Sequence, residues 1–284
     1  CEKIFGRSHV RTCRAMESLG ALLFSRNAWE KAERLYRRAL SVREKLDGTE
    51  HPETARAVSN LGIVLFKKGE MEEARALLER AISMHEKSVP REETKIFILR
   101  SNLGGILQQV GDLDKAKVCF EKNLLYSREK FGKDHPNTTI SWINLVSVML
   151  EEERVPPETR KEAERCLGVQ EAKYGKAHPE LVGMLNTLGA MQKMAGDYPN
   201  ARNCFSRALA IQKKSHGENH PDTALLLSNL GLLAQEMGNL GEARQLLFQA
   251  LSIEQHFGEE RAQTASLLHK IGMLFMEMGE EAAA

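Results

Sequence analysis

The sequence predicts an all-α fold, a solenoid of repeated helix–turn–helix units, and a recurring residue pair is the first evidence for it. Leu-Gly or a close substitute returns at nearly constant steps of 42, 42, 42, 43, 42 and 41 residues. The seven pairs are Leu19-Gly20, Leu61-Gly62, Leu103-Gly104, Leu145-Val146, Leu188-Gly189, Leu230-Gly231 and Ile271-Gly272. A fixed period of this length is the signature of stacked repeats that share one continuous core.

The period divides the chain into a single array spanning 1–284. Six units are predicted at 10–51, 52–93, 94–135, 136–178, 179–220 and 221–261, of which 136–178 is degenerate. Residues 1–9 resemble the end of a preceding second helix, and 262–284 supply the first helix of a seventh unit.

His-Pro pairs mark where the first helix of a unit begins. They stand at 51–52, 135–136, 178–179 and 220–221. Proline is favoured at the first helical position, where its missing N–H has no partner to lose. The recurrence of histidine at one junction favours a structural role, because a catalytic group has no reason to return every 42 residues.

The first helix is predicted to end at a glycine, which readily adopts the left-handed conformation that closes a helix. The residues in this position are Gly69, Gly111, Gly196, Gly238 and Gly279, with Asn27 in the first unit. The fourth unit has Glu153 instead, followed by an extra residue and Pro156-Pro157. We therefore expect its turn to be built differently.

The second helix carries a small–large–small pattern on one face, at steps of four and three residues. Examples are Ala74, Leu78 and Ala81, or Ala201, Phe205 and Ala208. The small residues allow neighbouring helices to approach, and the large residue fills the space between them. The fourth unit reads Thr159, Ala163 and Cys166, which is the weakest match.

Composition and charge exclude several classes of protein. A formal net charge of +1 lacks the basic excess of a nucleic-acid binder. No apolar run approaches the roughly 18–20 residues needed to span a bilayer. The five cysteines lack C-x-x-C spacing, which favours reduced core thiols and a cytoplasmic location.

Catalytic and metal-binding chemistry is not expected. His216 and His220 are four residues apart, but Gly217 and Pro221 place them in a turn rather than on a helix face that could present both to zinc. No Ser/Cys–His–Asp grouping stands out. We expect a protein that is not an enzyme and that needs no metal or cofactor.

The pattern L-G-x2-L, followed by the alanine–large–alanine helix, resembles the tetratricopeptide repeat. The 42-residue period, the His-Pro junction and phrases such as RALSVREKLDGTEHPETA (38–55) resemble the kinesin-light-chain type. The resemblance covers essentially the whole chain. It implies a right-handed superhelix whose first helices line a concave groove that holds a peptide of a partner protein.

Helical phase identifies the groove residues within each first helix. The residue before the Leu is Asn60, Asn102, Asn144 or Asn229 in four units. An asparagine amide is both donor and acceptor, so it can pair with the backbone of an extended peptide. The family resemblance assigns the same role to the Asn of the N-L-[AG] motif. The alternative is that these amides brace neighbouring helices.

Side chains five residues before or after the Leu, together with some that directly follow the latter, complete the predicted peptide-binding site. Arg14, Arg56 and Lys67 make its N-terminal half basic, Lys193 lies further along, and Glu236 and Glu277 line its C-terminal rim. An acidic peptide with a bulky central residue would suit this order. The resemblance to kinesin light chains points to the same acidic-aromatic partner motif.

Two functions remain open on the sequence. The first is an adaptor or scaffold that binds a short linear peptide, similar to cargo recognition by kinesin light chains, with an association with the cytoskeleton. The second is a ligand-sensing or autoinhibitory segment of a larger signalling NTPase, whose phosphate loop is absent from this sequence. The apolar segment 266–279 is explained either by further helices or by self-association.

Overall fold

The computed structural model describes residues 6, 9–88, 90–256 and 262–279. Within these ranges the chain forms thirteen α-helices and no strand. Contacts divide the chain into two compact units, Cys1–Tyr126 and Ser127–Ala284. None of the helices in the described ranges is both long and apolar enough to cross a membrane.

The first unit contains five complete helices and most of a sixth, which continues into the second unit. They are α1 Val10–Ser25, α2 Trp29–Asp47, α3 Pro52–Lys68, α4 Met71–Lys87, α5 Glu93–Gln109 and α6 Leu113–Phe131. In sequence order, the odd-numbered members are the first helices of the predicted repeats and the even-numbered members are the second helices.

The second unit continues the alternation with seven further helices. They are α7 Pro136–Glu151, α8 Pro157–Tyr174, α9 Leu181–Met194, α10 Tyr198–His216, α11 Pro221–Glu236, α12 Leu240–Gln255 and α13 Ala262–Glu277. Of the predicted preceding helix end at 1–9, only Gly6 and His9 are described, and 280–284 also lie outside the described residues. The predicted repeat boundaries stay predictions.

The His-Pro junction has a defined geometry. The Nδ1 atom of His51 accepts a hydrogen bond from the backbone N–H of Glu53 at 3.2 Å, which caps the start of α3. The same bond is made at His9, His135, His178 and His220. These histidines therefore have a structural role at the helix starts, which agrees with the interpretation of their recurrence.

The turn after each first helix is more uniform than the sequence indicates. Gly69 has φ 90°, Asn27 has φ 57°, and Glu153 has φ 53°. The N–H of Arg154 donates to the C=O of Met149 at 2.9 Å, in the same way as Asp112 to Leu107 at 2.8 Å. The helix end of the fourth unit is thus built like the others, because Glu153 itself adopts the left-handed conformation. The connection that follows does differ as expected, since the next helix begins four residues after Glu153 but only two residues after Gly111.

Close packing within each helix pair explains the Leu-Gly and alanine patterns. A Cβ on Gly62 would lie 2.9 Å from Cδ2 of Leu78, so only glycine leaves room for that side chain. Leu78 is fully buried between Ala74 and Ala81, which are fully buried as well. The small–large–small face is therefore the seam along which α3 and α4 pack.

The main helix contacts within each unit join helices that are close in sequence. In the first unit α1 packs with α2, α3 packs with α2, α4 and α5, and α4 packs with α5. In the second unit α9 packs with α7, α8, α10 and α11, and α12 packs with α11 and α13. Contacts of this range define a helical-repeat solenoid and confirm the predicted all-α fold class.

Candidate ligand-binding face of the first helices

All eight residues predicted to bind a peptide lie on first helices. Arg14 is on α1, Arg56, Asn60 and Lys67 are on α3, and Asn102 is on α5. Asn144, Lys193 and Asn229 are on α7, α9 and α11 of the second unit. Each unit is described separately below, since the residues belong to two bodies.

In the first unit, Asn60 and Asn102 occupy equivalent positions on two first helices that contact each other. Both side chains are half-buried, and neither amide makes a hydrogen bond to another residue in the described part of the chain. The two helices approach closely, because a Cβ on Gly105 of α5 would lie 3.4 Å from Cζ of Phe66 on α3. These two amides are thus accessible and have no partner within the fold.

Arg56 is not a free groove cation. Its Nη2 atom donates to Glu17 at 2.7 Å and to Glu53 at 2.6 Å. Glu17 also lies 3.5 Å from Nε of Arg43, whose side chain is only 2% exposed. Most of the positive charge that the sequence assigned to Arg56 is therefore compensated within the protein.

The buried part of this cluster contains a second arginine that sequence analysis did not identify. Arg43 contacts Asp47 at 2.9 Å and Glu53 at 3.1 Å. Burial acts to raise the pKa of the Glu53 carboxyl, but Arg56, Arg43 and Arg14 outweigh it and hold that pKa below its ordinary value. We name the five residues Glu17, Arg43, Asp47, Glu53 and Arg56 the buried charge cluster.

Arg14 and Lys67 remain as exposed cations of the first unit. Nζ of Lys67 lies 5.6 Å from the centre of the Phe66 ring. Neither side chain makes a salt bridge to another residue described in the structure. They, rather than Arg56, are the basic side chains available to a ligand here.

In the second unit, Asn144 is half-buried, and its amide has no hydrogen-bond partner among the described residues. Asn229 differs, because its Nδ2 atom donates to Oδ1 of Asn186 on α9 at 2.7 Å. Lys193 is also engaged, with Nζ 2.5 Å from Oε1 of Glu236 on α11. The bracing alternative thus applies to Asn229, which links two helices, whereas the amide of Asn144 stays available for the predicted contact with a peptide.

Apolar side chains accompany the amides at the predicted position five residues before the Leu. About half of each side chain is exposed, at 50% for Ile98, 49% for Ile140 and 52% for Leu225. Exposed residues of this size are expected where a ligand completes the packing. Their exposure places these three side chains on the solvent side of their helices.

Sequence reasoning missed three further features of this face. The sequence pattern does not distinguish Glu17 from the other polar residues of its helix. Only its contacts in the structure show that it pairs with Arg56. Asn186 lies one residue before the position that the period aligns with the other asparagines. The period alone could have identified Lys270, which takes the Asn position of the seventh predicted unit.

No grouping of three or more His, Cys, Asp or Glu side chains suitable for a metal ion occurs in the described part of the chain. His9, His51, His135 and His220 use Nδ1 to cap helices. His178 makes the same bond in the turn before α9, which begins only at Leu181. The chemistry that this face offers is hydrogen bonding, charge and apolar contact.

Family comparison identifies the repeats. One tetratricopeptide-repeat model matches residues 11–87 and 180–255, and a second matches residues 99–137. No significant match to a curated protein was found.

Solved structures show the same fold at low sequence identity. NprR in complex with its cognate peptide NprX aligns at 15% identity and TM-score 0.73, over 95% of this chain and 73% of NprR. The apo form of RapI aligns at 18% identity and TM-score 0.71, over 95% of this chain and 93% of RapI.

A candidate kinesin light chain from Podosopora anserina, with nearly identical TPR-like repeats, agrees with the predicted repeat type. It aligns at 18% identity and TM-score 0.59, over 73% of this chain and 98% of that one. The likeness is one of fold. Since the repeat models together match more than half of the sequence, the chain belongs to the tetratricopeptide-repeat family.

Proposed function

We propose that this chain is a protein-interaction module whose first helices bind an extended peptide of a partner protein, so that it acts as an adaptor or scaffold. The observation that carries the proposal is the set of open amides at Asn60, Asn102 and Asn144. Each lies at the same position of a first helix, half-buried and without a partner among the described residues.

For such an amide, a peptide backbone is a more favourable hydrogen-bond partner than water alone. A half-buried donor and acceptor gains from a fixed partner, and one hydrogen bond contributes about 0.5–1.5 kcal/mol net. An extended peptide offers one N–H and one C=O per residue, whatever its side chains are. In the first unit Asn60 and Asn102 can therefore hold the backbone while Ile98 contacts a side chain of the peptide. In the second unit Asn144 can do the same beside Ile140 and Leu225.

The likeness to NprR supports this proposal, because that protein was solved with a bound peptide. The likeness to the Podosopora anserina structure supports a more specific version, in which the ligand resembles a kinesin-light-chain cargo peptide with acidic and aromatic residues. In the first unit Arg14 and Lys67 would attract its acidic residues. Arg56 contributes less than its sequence position indicates, since Glu17 and Glu53 already bind it.

We further propose a non-enzymatic protein in the cytoplasm. The four described cysteines are free thiols, and Cys13, Cys166 and Cys204 are buried. This supports a reducing compartment. The alternative of a regulatory segment in a signalling NTPase depends on flanking sequence, and no residue described here favours it over peptide binding.

Self-association through α13 also stays a proposal. Leu268, Met273 and Met276 on this helix are 52%, 53% and 63% exposed. Light scattering at tens of micromolar tests it: a particle of twice the 31.9 kDa chain mass would support pairing, and a monomer would remove it.

Selection from a random peptide library tests peptide binding without a known partner. A phage-displayed library of about 12-residue peptides is panned on the wild-type chain, and the affinity of enriched peptides is measured by fluorescence anisotropy. The Asn60→Ala/Asn102→Ala variant should bind at least about tenfold more weakly, as expected for two lost hydrogen bonds.

Asn203→Ala is the matched control, because Asn203 is an exposed asparagine on the second helix α10. It should bind like the wild type. If the library yields no enriched peptide, or if the double variant binds as tightly as Asn203→Ala, the proposal is wrong.

A further inference from the structure

Lys270 on α13 holds a position that asparagine occupies in four other first helices, directly before Ile271. Its Nζ atom donates to Oγ of Ser228 on α11 at 3.1 Å. Ser228 is itself buried, with 3% of its surface exposed. The ammonium group is therefore held against the adjacent first helix rather than extended into solvent.

This ammonium has no counterion in the described part of the chain. Lysine carries three N–H donors, and Ser228 accepts one of them. Burial, followed by the nearby charge of Lys193, lowers the pKa of Lys270. Lys193 is the contrasting case, since Glu236 lies 2.5 Å from its own ammonium.

An uncompensated, half-buried charge lowers the stability of the fold. A functional role would account for the presence of Lys270 at this position. Native proteins accept such costs mainly at functional sites. A hydrocarbon or amide side chain of similar length would fit this position without that cost. The residue type is thus unfavourable for the fold alone and suited to an incoming anion.

Neighbouring amides lie at the same level of the adjacent first helices. Nδ2 of Asn229 donates to Oδ1 of Asn186, which leaves the Nδ2 group of Asn186 without an acceptor among the described residues. Ser228 thus contacts the ammonium, and the adjacent Asn229 continues the row of hydrogen-bonding groups to Asn186 on α9. Glu277, the acidic residue of α13 nearest in sequence, already accepts from Gln235 at 2.6 Å.

We infer that Lys270 forms an anion subsite of the second unit and binds a carboxylate side chain of the peptide held along the first helices. The inference rests on the proposed peptide-binding function and adds the place where an acidic ligand residue binds. A carboxylate carries one charge and matches one free ammonium. A doubly charged phosphate would require a second unpaired cation, and Lys193 is already paired with Glu236.

The inference changes which basic residue of the chain is expected to bind the acidic residues of the ligand. The sequence pattern placed the basic groups in the N-terminal half and acidic groups at the C-terminal rim. The contacts show that Arg56 is compensated, whereas Lys270 is not. An acidic ligand residue should therefore depend on Lys270 more than on Arg56.

Panning the random peptide library on the wild type, Lys270→Gln and Lys214→Gln tests the subsite. Glutamine can still donate to Ser228, so the variant removes the charge and preserves the hydrogen bond. Lys214→Gln removes an equal charge from an exposed site on the second helix α10. We expect the wild type and Lys214→Gln to enrich Asp or Glu at one peptide position, and Lys270→Gln to lose that enrichment.

A binding cycle then measures the contact with the best wild-type peptide and its Glu→Gln or Asp→Asn version. The neutral peptide should bind the wild type about tenfold more weakly, and the two peptides should bind Lys270→Gln within about twofold of each other. Lys270→Arg should restore the preference for the acidic peptide. The melting temperature of Lys270→Gln should equal or exceed that of the wild type, because the variant removes an unpaired charge.

The outcomes separate the two proposals. If the wild type enriches peptides and Lys270→Gln keeps the same acidic preference, the anion subsite is wrong and the peptide-binding face stands. If the wild type enriches no peptide, the peptide-binding function is wrong, and the subsite fails with it. Peptides selected by the wild type without any acidic position would likewise overturn the subsite alone.

Discussion

At the scale of single residues, the buried charge cluster determines which arginines are available to a ligand. Glu17 is 5% exposed and Arg43 is 2% exposed, and Glu17 also accepts a hydrogen bond from the half-buried Arg56. One carboxylate thus compensates two guanidinium groups that belong to different helices. Its removal would leave the two guanidinium groups with only Asp47 and Glu53 as counterions, neither of which is as deeply buried as Glu17.

The substitution Glu17→Gln should therefore destabilise the first unit by about 3 kcal/mol, the cost of breaking one side of a buried ion pair. Urea unfolding followed by circular dichroism measures this value. The matched control is Glu30→Gln, an exposed carboxylate in the first turn of α2, which should change stability by less than about 0.5 kcal/mol. Equal effects of the two variants would show that the cluster is not stabilising.

The turn residue Glu153 is a second case in which one residue departs from the repeat pattern. It holds φ 53°, a conformation that costs an L-residue about 1–2 kcal/mol. Glycine at this position avoids that cost but gains flexibility in the unfolded chain.

We expect Glu153→Gly to stabilise the second unit by about 1 kcal/mol, measured as an increase in the urea midpoint. Gly196→Ala provides the opposite test in the same unit, because that turn residue has φ 74° and should lose a comparable amount. A destabilised Glu153→Gly variant would indicate that the glutamate side chain contributes a contact that offsets its backbone strain.

At the scale of the structural element, the junction between repeats combines two side-chain bonds. His51 caps α3, and Oγ1 of Thr54 donates to the C=O of Gly48 at 2.7 Å. Thr138 bonds Gly132 in the same way at 2.7 Å. The sequence predicted a helix start at His-Pro from proline, but the partners of His and Thr depend on the loop conformation and could not be predicted from spacing.

The fourth repeat exchanges the small and large residues of the helix-pair seam. Where other repeats have glycine opposite a large residue, this repeat has Val146 and Ala163, which are 1% and 0% exposed. A small residue in the second helix compensates for a larger one in the first. The repeat that matches the pattern least thus buries both residues of the seam.

The same exchange can be made in the second repeat with Gly62→Val and Leu78→Ala. Each substitution alone should destabilise the first unit: Gly62→Val by about 1–3 kcal/mol through overpacking, and Leu78→Ala by about 2–5 kcal/mol through a cavity. Together they should cost at least about 1 kcal/mol less than the sum, because valine fills the space left by leucine. Strictly additive losses would contradict the proposed exchange.

At the scale of the whole molecule, the sequence predicted the repeat class and the helix order because both depend on period and on punctuation by Pro and Gly. The sequence also placed the eight candidate residues on first helices. The repeat period determines the helix, and the helical phase determines the face of that helix. The sequence could not assign the partners of these residues. Arg56 meets Glu17, and Asn229 meets Asn186, through contacts between residues about 40 positions apart on different helices.

Acid should weaken the fold through carboxylates that are held by arginine. A hydrogen bond from Arg165 lowers the pKa values of Glu162 and Asp134 below their ordinary values of 4.5 and 3.8, and Arg37 lowers that of Glu73. The unfolded chain then binds more protons than the folded chain at acidic pH. This stabilisation is complete above about pH 5 and is lost as the pH falls through the lowered values.

We therefore expect these carboxylates to lower the melting temperature below about pH 4.5 and to leave it unchanged between about pH 6 and 8. Buried His85, whose pKa burial lowers, adds its own decrease as the pH falls below the ordinary histidine value of 6.5. Arg165→Ala should make the decrease smaller, since two of the carboxylates lose their partner. Thermal unfolding at a series of pH values measures both effects. If most of the decrease in melting temperature occurred between pH 8 and 6, groups other than these carboxylates would cause the pH dependence of stability.

The central claim is that the first helices hold a peptide through their open asparagine amides. A crystal structure of the chain with a peptide selected from the library tests it most directly. The account predicts an extended peptide whose backbone atoms lie within hydrogen-bond distance of Asn60, Asn102 or Asn144. A peptide bound to the second helices, or one that leaves these three amides without contact, would contradict it.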